Sequence, residues 1–302
     1  MKKITTLLLA LIMMLSLAAC SAETTKDNTD TSNQTQNGTE GNNSSSNNKN
    51  EITFTELVAI DNADCLIKIT GIDPDNMWGY TIKAQLENKS SAKTYMFSVE
   101  SAAINGVQCD PLFASEVAAG KKANESITFM NTELKDNDIG DYTDIELTFR
   151  VYDSNDWTAE DVAKKTIHIY PYGEDKAAKF ERESASSDKV LFDNDNVTVI
   201  VTGYEKNEIF GYNVYLFLVN KTNKNLMFTT EDSSINGFMI DPLYATSVLA
   251  GKCAFSNISW FETSLTENNI TEIETIEFVL RAYDEDNLLG DDLVNETVTL
   301  NP

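Results

Sequence analysis

The chain has 302 residues, 48 Asp plus Glu against 23 Lys plus Arg, and a formal net charge of −25. Such acidity repels phosphate backbones and anionic lipid heads, which sets nucleic acid aside as a partner, and it keeps a surface protein soluble. The chain has one histidine, His168, and the sequence offers neither a credible zinc site nor a Ser-His-Asp or Cys-His pairing to propose around it.

The chain opens "MKKITTLLLALIMMLSLAAC". Lys2 and Lys3 precede an apolar run, Ile4 to Leu17, that reads as a secretory h-region and is too short for a membrane span. Leu17-Ala18-Ala19-Cys20 resembles the lipobox of bacterial lipoproteins. In that family the cysteine sulfur receives a diacylglyceryl group, and cleavage leaves it as the first residue. The resemblance implies a signal peptide over 1–19, lipid attachment at Cys20, and a place on the extracellular face of the cell membrane. Two acyl chains, at about 0.8 kcal/mol per buried CH₂, suffice for stable anchoring. Residues 20–50 then hold a Ser/Asn/Thr-rich stretch with one aliphatic side chain, Ala22, and no aromatic. Such a stretch buries too little surface to offset ordering entropy, so a disordered tether is expected. Its ends would sit roughly 30 Å apart as a coil.

Beyond the tether the sequence repeats. "INGVQCDPLFASEVAAGKKA" (Ile104–Ala123) returns as "INGFMIDPLYATSVLAGKCA" (Ile235–Ala254). From Phe97 to Pro171 the copies align without a gap at an offset of 131, with 27 of 75 positions identical. Upstream the offset is 132, where "TGIDPDNMWGY" faces "TGYEKNEIFGY" and Asn88-Lys89-Ser90 faces Asn220-Lys221-Thr222. A unit of this length is a domain and not a solenoid repeat. Two domains are expected, 51–172 and 186–302, joined by the charged linker 173–185.

Each copy reads as short strands. Tyr80, Ile82, Ala84 and Leu86 alternate with polar residues, as do Ile145, Leu147, Phe149 and Val151, the period of a half-buried strand. Further strands fit Cys65–Thr70, Tyr95–Val99, Val107–Cys109, Ser126–Met130 and Thr166–Tyr170. Asn105-Gly106 and Asn236-Gly237 between apolar flanks predict hairpin turns. Asp110-Pro111 stops a strand, and one helical turn at most fits "NTELKDNDI" (Asn131–Ile139). Seven or eight strands per copy predict an all-β fold of two tandem antiparallel sandwiches. The run Asn88–Phe129 and its partner from Asn220 resemble the immunoglobulin-like domains of Gram-positive lipoproteins, with their Asn-Lys turn, hairpin and Ala-Gly-Lys turn. That resemblance implies fold and address and brings no catalytic residue. The Cys…Trp…Cys pattern of antibody domains is absent.

The residues that could carry chemistry are few. His168 alternates with Ile167 and Ile169 and belongs on an outer strand face. Arg150-Val151-Tyr152-Asp153 and Arg281-Ala282-Tyr283-Asp284 are read as strand-end ion pairs. Acidic loops at 136–141, 153–156, 193–196 and 284–287 carry oxygens that suit calcium but lack EF-hand spacing. No cofactor other than calcium is entertained. Three cysteines remain after Cys20, an odd count that argues against a full disulfide framework and leaves room for one Cys65–Cys109 bridge.

The copies differ most on one strand face. Thr81, Lys83, Gln85 and Glu87 become Asn213, Tyr215, Phe217 and Val219; Thr148 becomes Val279, and Asn124 becomes Phe255. An apolar face is either a partner site, comprising Tyr215, Phe217, Val219, Val279 and Phe255, or a surface covered by the linker or the first domain. The expectation is a membrane-anchored, non-catalytic interaction module whose partner is an envelope protein or wall polymer. A surface hydrolase with paired carboxylates and a passive spacer are the alternatives.

Overall fold

A computed structural model describes residues 51–130, 139–207 and 211–302. The signal peptide, Cys20, the tether and nearly all of the expected helical turn after Met130 lie outside the described residues. The described residues belong to one compact unit, built almost wholly of strands in two-layer sandwiches.

In the first copy β1 (Leu57–Asp61), β2 (Cys65–Asp73), β3 (Gly79–Asn88) and β7 (Lys122–Met130) form one sheet, in the order β1-β2-β3-β7. The facing layer holds β4 (Tyr95–Ile104), β5 (Val107–Cys109), β6 (Ala114–Val117), β8 (Ile145–Asp153) and β9 (Ala163–Ile169). The second copy repeats this set as β10 (Lys189–Asp193), β11 (Val197–Asn207), β12 (Gly211–Asn220), β13 (Leu226–Ile235), β14 (Phe238–Met239), β15 (Ala245–Val248), β16 (Cys253–Trp260), β17 (Ile276–Asp284) and β18 (Val294–Leu300). A short helix, α1 (Glu262–Glu267), follows β16. Nine strands per copy exceed the seven or eight expected, because β1 and β6 are too short to show a period of two.

Alternation builds the cores. Ile67, Ile69, Ile82, Leu86, Ile127 and Phe129 from one layer meet Phe97, Leu147, Phe149 and Val151 from the other, all fully buried. A second cluster forms equivalently around Val199, Leu216, Phe228, Trp260 and Phe278. Each fully buried side chain of this size contributes roughly 1.5–3 kcal/mol through removal of apolar surface from water.

The repeated polar words now have physical meanings. Asn88 is fully buried and its Nδ2 donates to the carbonyls of Lys93 and Val117, both at 2.8 Å. Asn220 does the same to Lys224 and Val248, at 2.7 and 2.8 Å. Lys89 and Lys221 then cap the preceding hairpin through Asp61 (2.5 Å) and Asp193 (2.7 Å). Asn105 and Gly106 have φ of 53° and 85°, the pair of positive values that a two-residue hairpin turn requires. The Asn105 side chain also accepts the Thr143 and Asp144 N–H groups at 2.9 and 3.0 Å, so one residue fixes two loops. Asn236 binds Glu274 and Thr275 in the same way. Gly79 and Gly211 are needed for close approach: a Cβ would stand 1.8 Å from the Phe129 carbonyl oxygen in the first copy and 2.0 Å from that of Trp260 in the second.

One open question is answered and one grouping is corrected. Cys65 and Cys109 are not bridged, and Cys253 forms no disulfide either. Cys65 and Cys109 are each buried among apolar neighbours, where a thiol serves as a small hydrophobe. Val279 does not share a face with Phe217 and Phe255. It lies on β17, in the five-stranded sheet β14-β13-β17-β18 with β15, whereas β12 and β16 belong to the other layer.

Candidate interaction surface

The two sandwiches join edge to edge. Cys253, the first residue of β16, pairs in parallel with Val107 of β5, and its N–H donates to the Gly106 carbonyl at 3.0 Å. This single contact merges two layers into a nine-stranded sheet, β10-β11-β12-β16-β5-β4-β8-β9 with β6. Gln108 clamps it from one side: Nε2 donates to the Ser247 carbonyl at 2.9 Å, and Oε1 accepts the Leu249 N–H at 3.0 Å. Lys252 clamps it from the other, its Nζ 2.5 Å from Glu146 Oε2.

The apolar face of β12 and β16 lies in this seam. Phe217 and Phe255 face one another across the strand pair, ring centroids 5.0 Å apart. Phe180, a lone aromatic in the charged linker, sits over both, at 6.4 and 6.0 Å. Arg182 adds its guanidinium carbon 5.7 Å from the Phe217 ring. A backbone bond, Phe180 N–H to the Asn105 carbonyl at 2.7 Å, ties the linker to the first sandwich. A bidentate Arg182–Asp188 pair, 2.7 and 2.8 Å, ties it back toward β10. That guanidinium holds the Asp188 carboxyl below the usual range. Phe217 is consequently buried and Phe255 is half-buried against the first core. Of the five residues read as one partner face, Phe217 and Phe255 are taken up in this seam, and Val279 is on the opposite layer. Val219 is half-buried. Tyr215 is exposed and its hydroxyl donates to Glu205.

The acidic and basic candidates are engaged in local pairs. Arg150 donates to Asp161 at 2.7 Å and lies 4.5 Å over the Tyr152 ring. Arg281 repeats this with Asp292 at 2.8 and 2.9 Å and over Tyr283. Asp153 is held low by the Asn155 N–H and Lys93, Asp193 by Lys221 and Thr198, and Asp284 chiefly by Lys224. These are the leading carboxylates of three of the four acidic loops. His168 lies opposite Glu146, with Nδ1 2.8 Å from Asp144 and its ring stacked on Tyr170.

No family model and no curated protein matches the chain. Among solved structures, red sea bream transglutaminase is 11% identical over 80% of this chain and 31% of its own length, with a TM-score of 0.25. A protein of unknown function from Porphyromonas gingivalis W83 is 11% identical over 82% of this chain and all of its own, with a TM-score of 0.20. The chain spans under a third of the transglutaminase, and neither likeness carries an argument about activity.

What the covered face leaves open is an edge. β14 is the counterpart of β5, but among the described residues it pairs only with β13, and no strand lies on its outer side. Its two residues, Phe238 and Met239, are 48% and 68% exposed. At the matching positions Val107 is fully buried beneath the junction and Gln108 grips the neighbour. An exposed apolar edge is a template for strand pairing unless it is very short, charged, covered or bulged; β14 has two residues, yet three-residue β5 takes a neighbour at the same place in the fold. The sequence signal for it was the change of Val-Gln to Phe-Met after the same Asn-Gly turn.

Proposed function

We propose that this chain is a lipid-anchored lipoprotein of the cell surface, acting as a non-catalytic interaction module through the open edge of its second sandwich. The signal-like N-terminus and the Cys20 lipobox support the address. The observation that carries the binding role is the exposed Phe238–Met239 edge. Sheet edges bind partners by strand addition, in which main-chain hydrogen bonds give affinity and alternate side chains give selectivity. The internal junction is an example of that contact within the same chain. The partner class is an envelope protein that offers an extended strand, which the edge fits better than a wall polymer.

The test is binding of the purified full chain to isolated envelopes of the producing cell. Saturable binding that drops at least tenfold (about 1.4 kcal/mol) in a Phe238→Ser, Met239→Ser variant, and persists in Leu289→Ser, is the expected result. Leu289 is fully exposed on the β17–β18 loop and controls for general stickiness. Equal binding by all three chains, or none, overturns the reading.

A further inference from the structure

The junction between the sandwiches has two halves, and the duplication supplies each half twice. One half is the β5 edge after its Asn-Gly turn, with Glu146 beside it. The other is the start of β16, with Lys252 before it. The counterpart of the first half is β14 with Glu277; that of the second is the start of β7 with Lys121. Among the described residues both counterparts are sheet edges: β7 ends the sheet β1-β2-β3-β7, and β14 ends the sheet β14-β13-β17-β18. We infer that the edge binds a second copy of this chain, head to tail, with the start of β7 of one copy laid in parallel on β14 of the next. This rests on the reading of β14 as a binding edge and names its occupant.

Three observations carry the inference. The turn that presents the acceptor carbonyl is kept: Asn236 and Gly237 have φ of 50° and 82° against 53° and 85° in the occupied turn. The Gly237 carbonyl is therefore offered as Gly106 offers its own to Cys253. The flanking charges are kept as well. Lys252 and Glu146 form the internal ion pair, each side chain under one-fifth exposed, while Lys121 and Glu277 are both exposed. Each is the half of a pair whose complement lies in the other sandwich. The edge residues also change in the direction that a detached partner requires. Gln108, which reaches a fixed neighbour, becomes Met239, which adapts to an arriving one.

The same comparison sets the strength. An incoming β7 brings Lys122 and Asn124 where β16 has Cys253 and Phe255, and Gln85 stands where β12 has Phe217. The aromatic seam is thus absent between copies. The contact is weaker than the internal junction, which also has the effective concentration of about 1 mM that a short linker supplies. A heterologous contact of this kind adds copies head to tail, as a closed ring or as an open row.

The test uses purified full chain at about 1 mM, the concentration that a short linker supplies within one chain. Equal parts of normal and nitrogen-15-labelled chain are treated with a zero-length carbodiimide cross-linker and digested for mass spectrometry. The Lys252–Glu146 link, with unmixed isotopes, controls for the chemistry. A mixed-isotope Lys121–Glu277 link is expected, falling at least tenfold in Phe238→Asp and vanishing in Glu277→Gln. Only the internal link, or mixed-isotope links joining other sites, overturns the inference. If self-linking is missing but envelope binding still depends on Phe238 and Met239, the edge takes a foreign strand. In that case the binding role stands without the second copy. If both are missing, both fail.

Discussion

Asn88 and Asn220 each satisfy two backbone carbonyls inside an apolar layer, one from the following loop and one from the end of a short strand, β6 or β15. Replacing either by Ala leaves carbonyl acceptors buried without a donor, which costs about 1–3 kcal/mol each. Urea denaturation of Asn88→Ala should therefore show a lower midpoint at unchanged slope, whereas Asn88→Asp should do worse by burying a charge. Gly79 is less forgiving still. Its φ of 145° and the Phe129 oxygen in the place of any Cβ leave Gly79→Ala no relaxed position, and a loss of roughly 3 kcal/mol is expected. Thiol chemistry follows from burial in the same way. Desolvation pushes both Cys65 and Cys253 up to about 11, so neither is a thiolate at pH 8 and a disulfide-forming dye should label the native chain slowly. Labelling near the stoichiometry of one thiol within seconds at pH 8 would contradict this.

Between strands and loops, the linker is the element whose role the sequence left open, as one of two candidate covers for the apolar β12 face. Its composition, Gly173-Glu174-Asp175-Lys176 through Ser186, is that of a flexible connector, and only the isolated Phe180 marks it as something else. One aromatic in a charged run carries no periodicity, so its burial depends on tertiary contacts that local reading does not reach. The strands were legible because alternation is a local pattern: Tyr80 to Glu87 and Ile145 to Tyr152 lie where their spacing put them. The apolar change on β12 was legible too, but whether Phe217 met a partner or a neighbour was not. Val279 was grouped with it because alternation gives a face and never says which of two layers holds it. Phe180→Ala should loosen the seam by about 1–2 kcal/mol, because Phe180 is half-buried and full burial of such a side chain is worth roughly 1.5–3 kcal/mol. Calorimetry is expected to resolve two transitions where the native chain gives one, and Cys253 should become the faster-labelled thiol. A single unchanged transition would mean that β16–β5 pairing and the Gln108 clamp hold the sandwiches without the linker.

For the molecule as a whole, charge sets two opposing trends with pH. The net charge of −25 at neutrality repels itself, and that repulsion weakens as pH falls toward the pI of about 4.3. Against this, Asp153, Asp188, Asp193, Asp284 and Asp292 all have carboxyls held below the usual range by bonded partners. A depressed carboxyl adds stability that is present above its unfolded value, about 3.9, and lost as pH falls through its folded one. The melting temperature should therefore rise from pH 7 to about pH 5 and drop below about pH 4. A steady fall across the whole range would show that self-repulsion is negligible. Palmitate labelling of the producing cells checks the other end of the chain: incorporation is expected in the native protein and lost in Cys20→Ala.

The order in which the chain is made gives the β16–β5 contact a further meaning. Gly106, Gln108 and Glu146, with every strand their sandwich needs, precede Phe217 and Cys253 along the chain, so they are first to be made and, in an exported chain, first to emerge outside. Domains fold as units, the N-terminal one first. The finished first sandwich, with Phe180 trailing from it, is thus a mould waiting for the strand most prone to mispair. The edge that would aggregate in a lone second copy meets a prepared neighbour as it emerges. Exchanging the order of the two copies would remove that protection while keeping nearly every residue.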